Sequence, residues 1–331
     1  MLFRSSAPRS FGERYGVIVH SPESAAAPHA ADELGVLWFL NEGHAAAPPT
    51  GRARKLPIIM EIRPGTYLSR RQLQDLLEAH PGVDLVLGNE PNVSAQGNSD
   101  GAEYADAFYY YNQLLKGTDG LDPSRRLIAG NTLNWEFTCL RKDSSTLEQH
   151  GCVWDYSGHE FVSDFRAAYK LKYGAEPPVD IWGVHAYPLD WTRFPTTDRQ
   201  ILVDQIEGFR KYLDASPQYK NSPIWITEFG IHWGFSCGEP CIVLREGRLV
   251  PGEGAVYQSA KVEAFLSEML DWLEAHADAY RIERWFLYAT YVALGAPDPQ
   301  SNQGISLFRG PQPESGLTEN GLTYRARAAT R

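Results

Sequence analysis

Short apolar runs recur along this chain, separated by stretches in which apolar residues return every three or four positions. Eight of the runs read as strands: YGVIVH (15–20), LGVLWFL (34–40), LPIIMEI (56–62), VDLVLGNE (83–90), RLIAGNT (126–132), VDIWGVHAY (179–187), PIWITEF (223–229) and ERWFLYAT (283–290). Several are almost continuously apolar instead of alternating. That pattern belongs to strands covered on both faces, as in a parallel sheet.

The intervening segments carry helix-start signals. Ser69 with Gln72 predicts a capping box before RRQLQDLLEAH, Thr197 with Gln200 another before ILVDQIEGFRKYL, and Asp100 with Glu103 a third before YADAFYYYNQLL. The last of these puts Tyr104, Phe108 and Tyr111 on one stripe, which reads as packing. A further helix is expected near 255–277, with Val262, Phe265, Met269 and Leu273 on one face. The link SPESAAAPHAADE holds at most a short helix, and none is visible between strands two and three.

Strand–helix alternation carried to eight strands predicts an α/β protein, a single (β/α)8 TIM barrel spanning residues 1–331. An open doubly wound sheet is the alternative. It would usually show a Gly-rich phosphate loop after its first strand, and neither GxGxxG nor GxxxxGK occurs. Two long loops are expected, near 133–158 and 231–254.

Composition narrows the partners. The 331 residues are 43% hydrophobic and 22% charged, an ordinary globular balance, with a net charge of −10. Such a surface repels nucleic acid and anionic membranes. No apolar run approaches membrane-spanning length. The N-terminal MLFRSSAPRSFGERYG lacks the apolar core of a signal peptide. Four cysteines, Cys139, Cys152, Cys237 and Cys241, fall in the two long loops. Their even number suggests pairs 139–152 and 237–241 and hence a secreted or extracytoplasmic protein, with free thiols or a metal site beside His150 or His232 as the alternatives. No metal-ligand spacing supports the last, and no metal or organic cofactor is expected. The chain is expected to act as a monomer.

Chemistry collects at the strand ends. In a barrel of this kind the site lies at the C-terminal ends of the strands. Those ends carry Arg63, Asn89 and Glu90, Asn131, His185 and Tyr187, and Glu228; strand eight offers Trp285 or Tyr288, with Trp285 favoured. Trp135 and Trp233 follow strands five and seven as aromatic platforms for a ligand. A purely structural barrel has no need of such polar ends. Glu90 and Glu228 are the centre of the pattern. Two carboxylates flanking a pocket can cleave a glycosidic bond, one as acid and the other as nucleophile or base. His185 and Tyr187, two apart, share a face; Tyr187 can hold the nucleophile and Arg63 can keep it charged.

GNEP at strand four and WITEFG at strand seven resemble clan A of the glycoside hydrolases, retaining (β/α)8 enzymes. The resemblance implies that Glu90 is the acid/base, that Asn89 contacts the sugar 2-hydroxyl, and that Glu228 is the nucleophile. GVHAYP resembles the strand-six segment of that clan, which implies Tyr187 beside the nucleophile and His185 near the sugar. LGVLWFLNEG, RIERWFLYAT and GLTENGLTYRARA are similar to segments of the small β-1,3-glucanases of glycoside hydrolase family 128. The implied activity is endo-hydrolysis of a polysaccharide or oligosaccharide by double displacement. IMEIRPG at strand three and the two cysteine-bearing loops depart from that pattern. They leave open another β-linked glycan (xylan, mannan, galactan, β-1,4-glucan) or exo action. A non-catalytic carbohydrate-binding barrel is the reading from another class; it predicts loss of a carboxylate, and both are present.

Overall fold

A computed structural model describes residues 11–19, 27–41, 43–45, 51–93, 96–136, 157–189, 197–231, 235–236, 242–245, 248–251, 256–291 and 305–329. Its main sheet is parallel throughout. In chain order the strands are β1 (Tyr15–Ile18), β2 (Trp38–Leu40), β3 (Arg54–Leu56), β4 (Ile58–Ile59), β5 (Leu85–Leu87), β6 (Leu127–Leu133), β7 (Ile181–Ala186), β8 (Ile224–Phe229) and, after four short strands outside this sheet, β13 (Ile282–Tyr288). They are hydrogen-bonded in the order β3-β2-β1-β13-β8-β7-β6-β5-β4. The two ends of that order are one strand interrupted by Pro57, which has no N–H to give to a ladder. Nine segments therefore make eight staves, and the expected α/β barrel is present.

Helices follow the strands: α1 (Ala27–Glu33), α2 (Arg70–Ala79), α3 (Gly101–Lys116), α4 (Gly158–Tyr173), α5 (Arg199–Asp214), α6 (Ser259–His276) and α7 (Glu319–Ala329). The capping boxes Ser69/Gln72 and Asp100/Glu103 form as expected. Thr197 does not cap α5; Asp198 does, accepting from the Gln200 N–H at 3.0 Å, because a carboxylate one residue nearer the helix reaches its first free donors. A further box, Ser157 with Glu160, opens α4 at the end of what reads as a loop in the sequence.

Side chains alternate between two apolar layers. Ile59, Leu87, Ala129, Val184, Ile226 and Trp285 pack outward against the helices. Ile58, Val86, Ile128, Ile181, Trp225 and Phe286 fill the barrel. At the N-terminal end of the strands the Arg284 guanidinium lies 3.7 Å from the Trp38 ring centroid and 4.3 Å from that of Trp225, plugging the floor. The segment expected as a loop over 231–254 holds three short strands instead, one of which pairs just beyond it. β9 (Phe235–Ser236) pairs with β12 (Val256–Tyr257), and β10 (Ile242–Arg245) pairs with β11 (Arg248–Pro251). All four cysteines and Trp233 lie outside the described residues.

Candidate active site

Glu90 does not end its strand; it stands in the turn that follows β5. Gly88 and Glu90 both have positive φ, +73° and +41°. A left-handed glutamate is sterically unfavourable, so something must hold it. Three backbone bonds do: the Glu90 N–H donates to Asn131 at 3.0 Å, and its carbonyl accepts from Val93 at 3.0 Å and Gly97 at 3.3 Å. The carboxyl is thereby aimed inward and is largely buried.

Glu228 arrives by a different device. Val184 pairs with Ile226, but His185 pairs with Glu228, so β8 carries one extra residue at Thr227. A bulge of this kind lets neighbouring residues turn to one side. Thr227 donates to the Asn131 side-chain oxygen at 3.0 Å inside the barrel, and Glu228 still reaches the mouth.

There the groups converge. Nδ1 of His185 is hydrogen-bonded to Oε1 of Glu90 at 2.9 Å and lies 3.8 Å from Oε2 of Glu228. Tyr187 donates its phenolic hydrogen to Oε1 of Glu228. One atom from each of Glu90, His185 and Glu228 fits within a mutual distance of 4.8 Å. Burial, aided by the Glu90 charge, pushes the Glu228 carboxyl up to about 7, against the pull of His185 and the Tyr187 hydrogen bond. Burial alone would lower the His185 pKa, but the charge of Glu228 and the bond and charge of Glu90 outweigh it and raise it. Burial and the Glu228 charge hold the Tyr187 phenol well above its ordinary value, so it remains a donor. The three side chains are also close enough to share a cation.

Two residues without an expected role build the ground beneath Tyr187 and Glu90. Asn134, fully buried, accepts from the Tyr187 N–H at 2.8 Å and donates to the Tyr187 carbonyl at 3.1 Å. Asn92 treats Leu133 the same way, at 3.0 and 3.3 Å. Each carboxamide imitates a peptide and extends the sheet past its strand ends. The signal in the sequence is the asparagine following each turn, in NEPN and NTLN.

The remaining expected site residues scatter. Asn89 is half-buried next to Glu90 and donates to Gln96 at 3.4 Å. Asn131 is a brace, not a ligand contact. It is fully buried at a positive φ of +50°, donates to Leu87 and Ile128 at 3.0 and 3.3 Å, and accepts from Thr227. Arg63 is exposed in a turn closed by Thr66, and the described ion pairs of both carboxylates run to His185. Trp135 is no platform: it is buried against Phe209, Tyr212 and His159. Trp285 faces the helices, edge-on to Tyr15, because Phe286 is the residue that points into the barrel. By the same parity Tyr288, the less favoured choice from the sequence, packs with Tyr187 at the mouth.

No curated protein matches the chain. Solved structures do. A GH128 (subgroup II) endo-β-1,3-glucanase from Pseudomonas viridiflava is 20% identical, with 95% of this chain and 97% of that chain covered and a TM-score of 0.60. A GH128 (subgroup I) endo-β-1,3-glucanase from Amycolatopsis mediterranei, in complex with laminaritriose, is 18% identical over 95% and 99%, with a TM-score of 0.52. A GH128 (subgroup III) curdlan-specific exo-β-1,3-glucanase from Blastomyces gilchristii, in complex with glucose, is 16% identical over 95% and 98%, also at 0.52. At such identities the likeness is one of fold. The family model described as glycosyl hydrolase catalytic core goes further: it matches residues 36–321, a span that takes in Glu90, His185, Tyr187 and Glu228, and the chain belongs to that family.

Proposed function

We propose that this chain is a retaining endo-β-1,3-glucanase, with Glu90 as acid/base and Glu228 as nucleophile. One observation carries the mechanism: an oxygen of each carboxylate and a ring nitrogen of His185 all lie within 4.8 Å of one another. Retaining glycosidases place their carboxyls about 5 Å apart, whereas inverting ones leave roughly 6.5–9.5 Å for a water. The substrate rests on the activities of the fold's neighbours.

The roles follow from the partners. Glu228 accepts from Tyr187, which favours its ionised form and fixes one oxygen, leaving the other for attack. The acid role assigned to Glu90 requires it to hold a proton when the glycan binds. Glu90 gives it to the glycosidic oxygen as that oxygen leaves C1, and Glu228 bonds to C1 from the opposite face. Glu90, now ionised, takes a proton from water; the hydroxyl attacks C1 and Glu228 departs. Two inversions give net retention, and Glu90 ends protonated as it began. The chain works as a monomer outside the cytoplasm, where the expected cysteine pairs would be stable.

Product analysis on β-1,3-glucan, mixed-linkage glucan, a cellulose derivative, xylan, mannan and galactan tests this, with Glu228→Gln as control. A ladder of β-1,3-linked oligosaccharides, first seen as the β-anomer, is expected from the wild type alone. Glucose as the first product indicates exo action, and release from another glycan keeps the mechanism and moves the substrate. Binding without release from any glycan supports a non-catalytic barrel.

A further inference from the structure

Among the described residues three large apolar side chains are exposed: Met60 at 42%, Leu171 at 89% and Leu322 at 39%. Leu171 and Leu322 belong to helices α4 and α7, where an isolated exposed leucine is ordinary. Met60 differs in its address. Ile58 points into the barrel and Ile59 toward the helices; carrying that alternation one step past the end of β4 assigns the exposed Met60 to the inner face, at the mouth. Its backbone is clamped on both sides. Gly88 donates to the Ile59 carbonyl at 2.8 Å, Ile62 to the Met60 carbonyl at 3.0 Å, and the Tyr111 hydroxyl to the Glu61 carbonyl at 2.8 Å. Ile59 and Ile62 on either side are buried. A rigid strand end thus presents one flexible apolar side chain to solvent. The neighbouring strand is β5, with Ile59 opposite Leu87. Extending that register one step sets Met60 beside Gly88, two residues before Glu90.

We infer that Met60 is a substrate-binding residue that packs its thioether against the carbon–hydrogen face of a sugar ring bound beside Glu90. This rests on the glucanase reading above. Methionine suits such a contact because it is unbranched, polarisable and adapts to irregular surfaces.

The test compares wild type, Met60→Ala and Met60→Leu on a long soluble β-1,3-glucan. A contact made equally in the ground and transition states shows in KM, not kcat. Met60→Ala should raise KM about five- to tenfold with kcat within about twofold, and Met60→Leu should restore most of the loss. Because Met60 is exposed, the thermal midpoint should stay at the wild-type value in both variants. Wild-type KM and an unchanged product ladder in Met60→Ala would overturn the assignment while leaving the glucanase reading intact. Wild type that releases nothing from β-1,3-glucan removes that reading first, and the role of Met60 with it.

Discussion

Tyr187 donates its phenolic hydrogen to Oε1 of Glu228 from the turn after β7, and its own backbone is held at both ends by Asn134. The bond draws the Glu228 carboxyl toward ionisation while burial pushes it the other way. With Glu228, the proposed nucleophile, at about 7, kcat/KM should fall as pH drops through that value, since only the ionised carboxylate attacks. Tyr187→Phe removes the pull. Its acidic limb should move to higher pH, and kcat should drop about tenfold to a hundredfold. A pH–rate profile that overlays the wild type would contradict this.

His185 acts on the same limb through charge. It lowers the Glu228 pKa and is bonded to Glu90. His185→Ala should also move the acidic limb upward and cost about a hundredfold in kcat/KM. A limb that moves to lower pH would mean that His185 does not stabilise the Glu228 anion.

Glu228→Gln should abolish turnover and, at alkaline pH, stabilise the fold. The folded carboxyl titrates near 7 rather than at its ordinary 4.5, so the folded state holds the proton more tightly. Stability then falls as pH rises from 4.5 through 7. The amide carries no such penalty. Denaturant unfolding should find the variant about 1–3 kcal/mol more stable at pH 8, with the gap closing by pH 4. Equal stability at both pH values would remove the role assigned to burial.

Asn134→Ala takes from the N–H and carbonyl of Tyr187 the carboxamide that bridges them. Destabilisation of about 1–3 kcal/mol is expected. A purely structural role ends there. A positioning role also shifts the acidic limb in the direction of Tyr187→Phe, and the pH profile separates the two.

Glu90, His185 and Glu228 are close enough to share a cation. The proposed route uses none, because both proton transfer and attack come from side chains. Dialysis against EDTA should leave kcat/KM unchanged. Loss of activity that a divalent ion restores would move the mechanism toward a metal.

Much of the fold is legible in the sequence because the strands are buried on both faces and so read as continuous apolar runs. Glu90 and Glu228 stand out for the same reason: each is a charge following such a run. What periodicity misreads is irregular backbone. Strict alternation puts Glu228 on the face opposite Thr227, and only the extra residue in β8 lets both turn inward. Asn131 sits at a second such point, between Gly130 opposite Gly183 and Thr132 opposite Val184. Its amide is spent inside the barrel. Trp285 and Tyr288 are a choice of parity that residue type cannot make; the buried face of Phe286 decides it. Trp135 is hidden by tertiary packing, since nothing local says that α5 will cover it. The Ser157/Glu160 box goes unread because it opens a helix at the far edge of a long loop.

The register shift at Thr227 has a consequence for how this chain and its relatives are compared. The number of residues in β8 decides whether one inward side chain or two stand above Trp225. A variant lacking Thr227 alone would pair Ile226, Glu228 and Phe229 with Val184, His185 and Ala186 in unbroken register, so Glu228 would stay on the inner face while Asn131 lost its bond from Thr227. A relative one residue shorter in β8 can therefore keep its nucleophile aimed at the mouth. What the extra residue adds is a second inward side chain below Glu228, and with it the brace to Asn131.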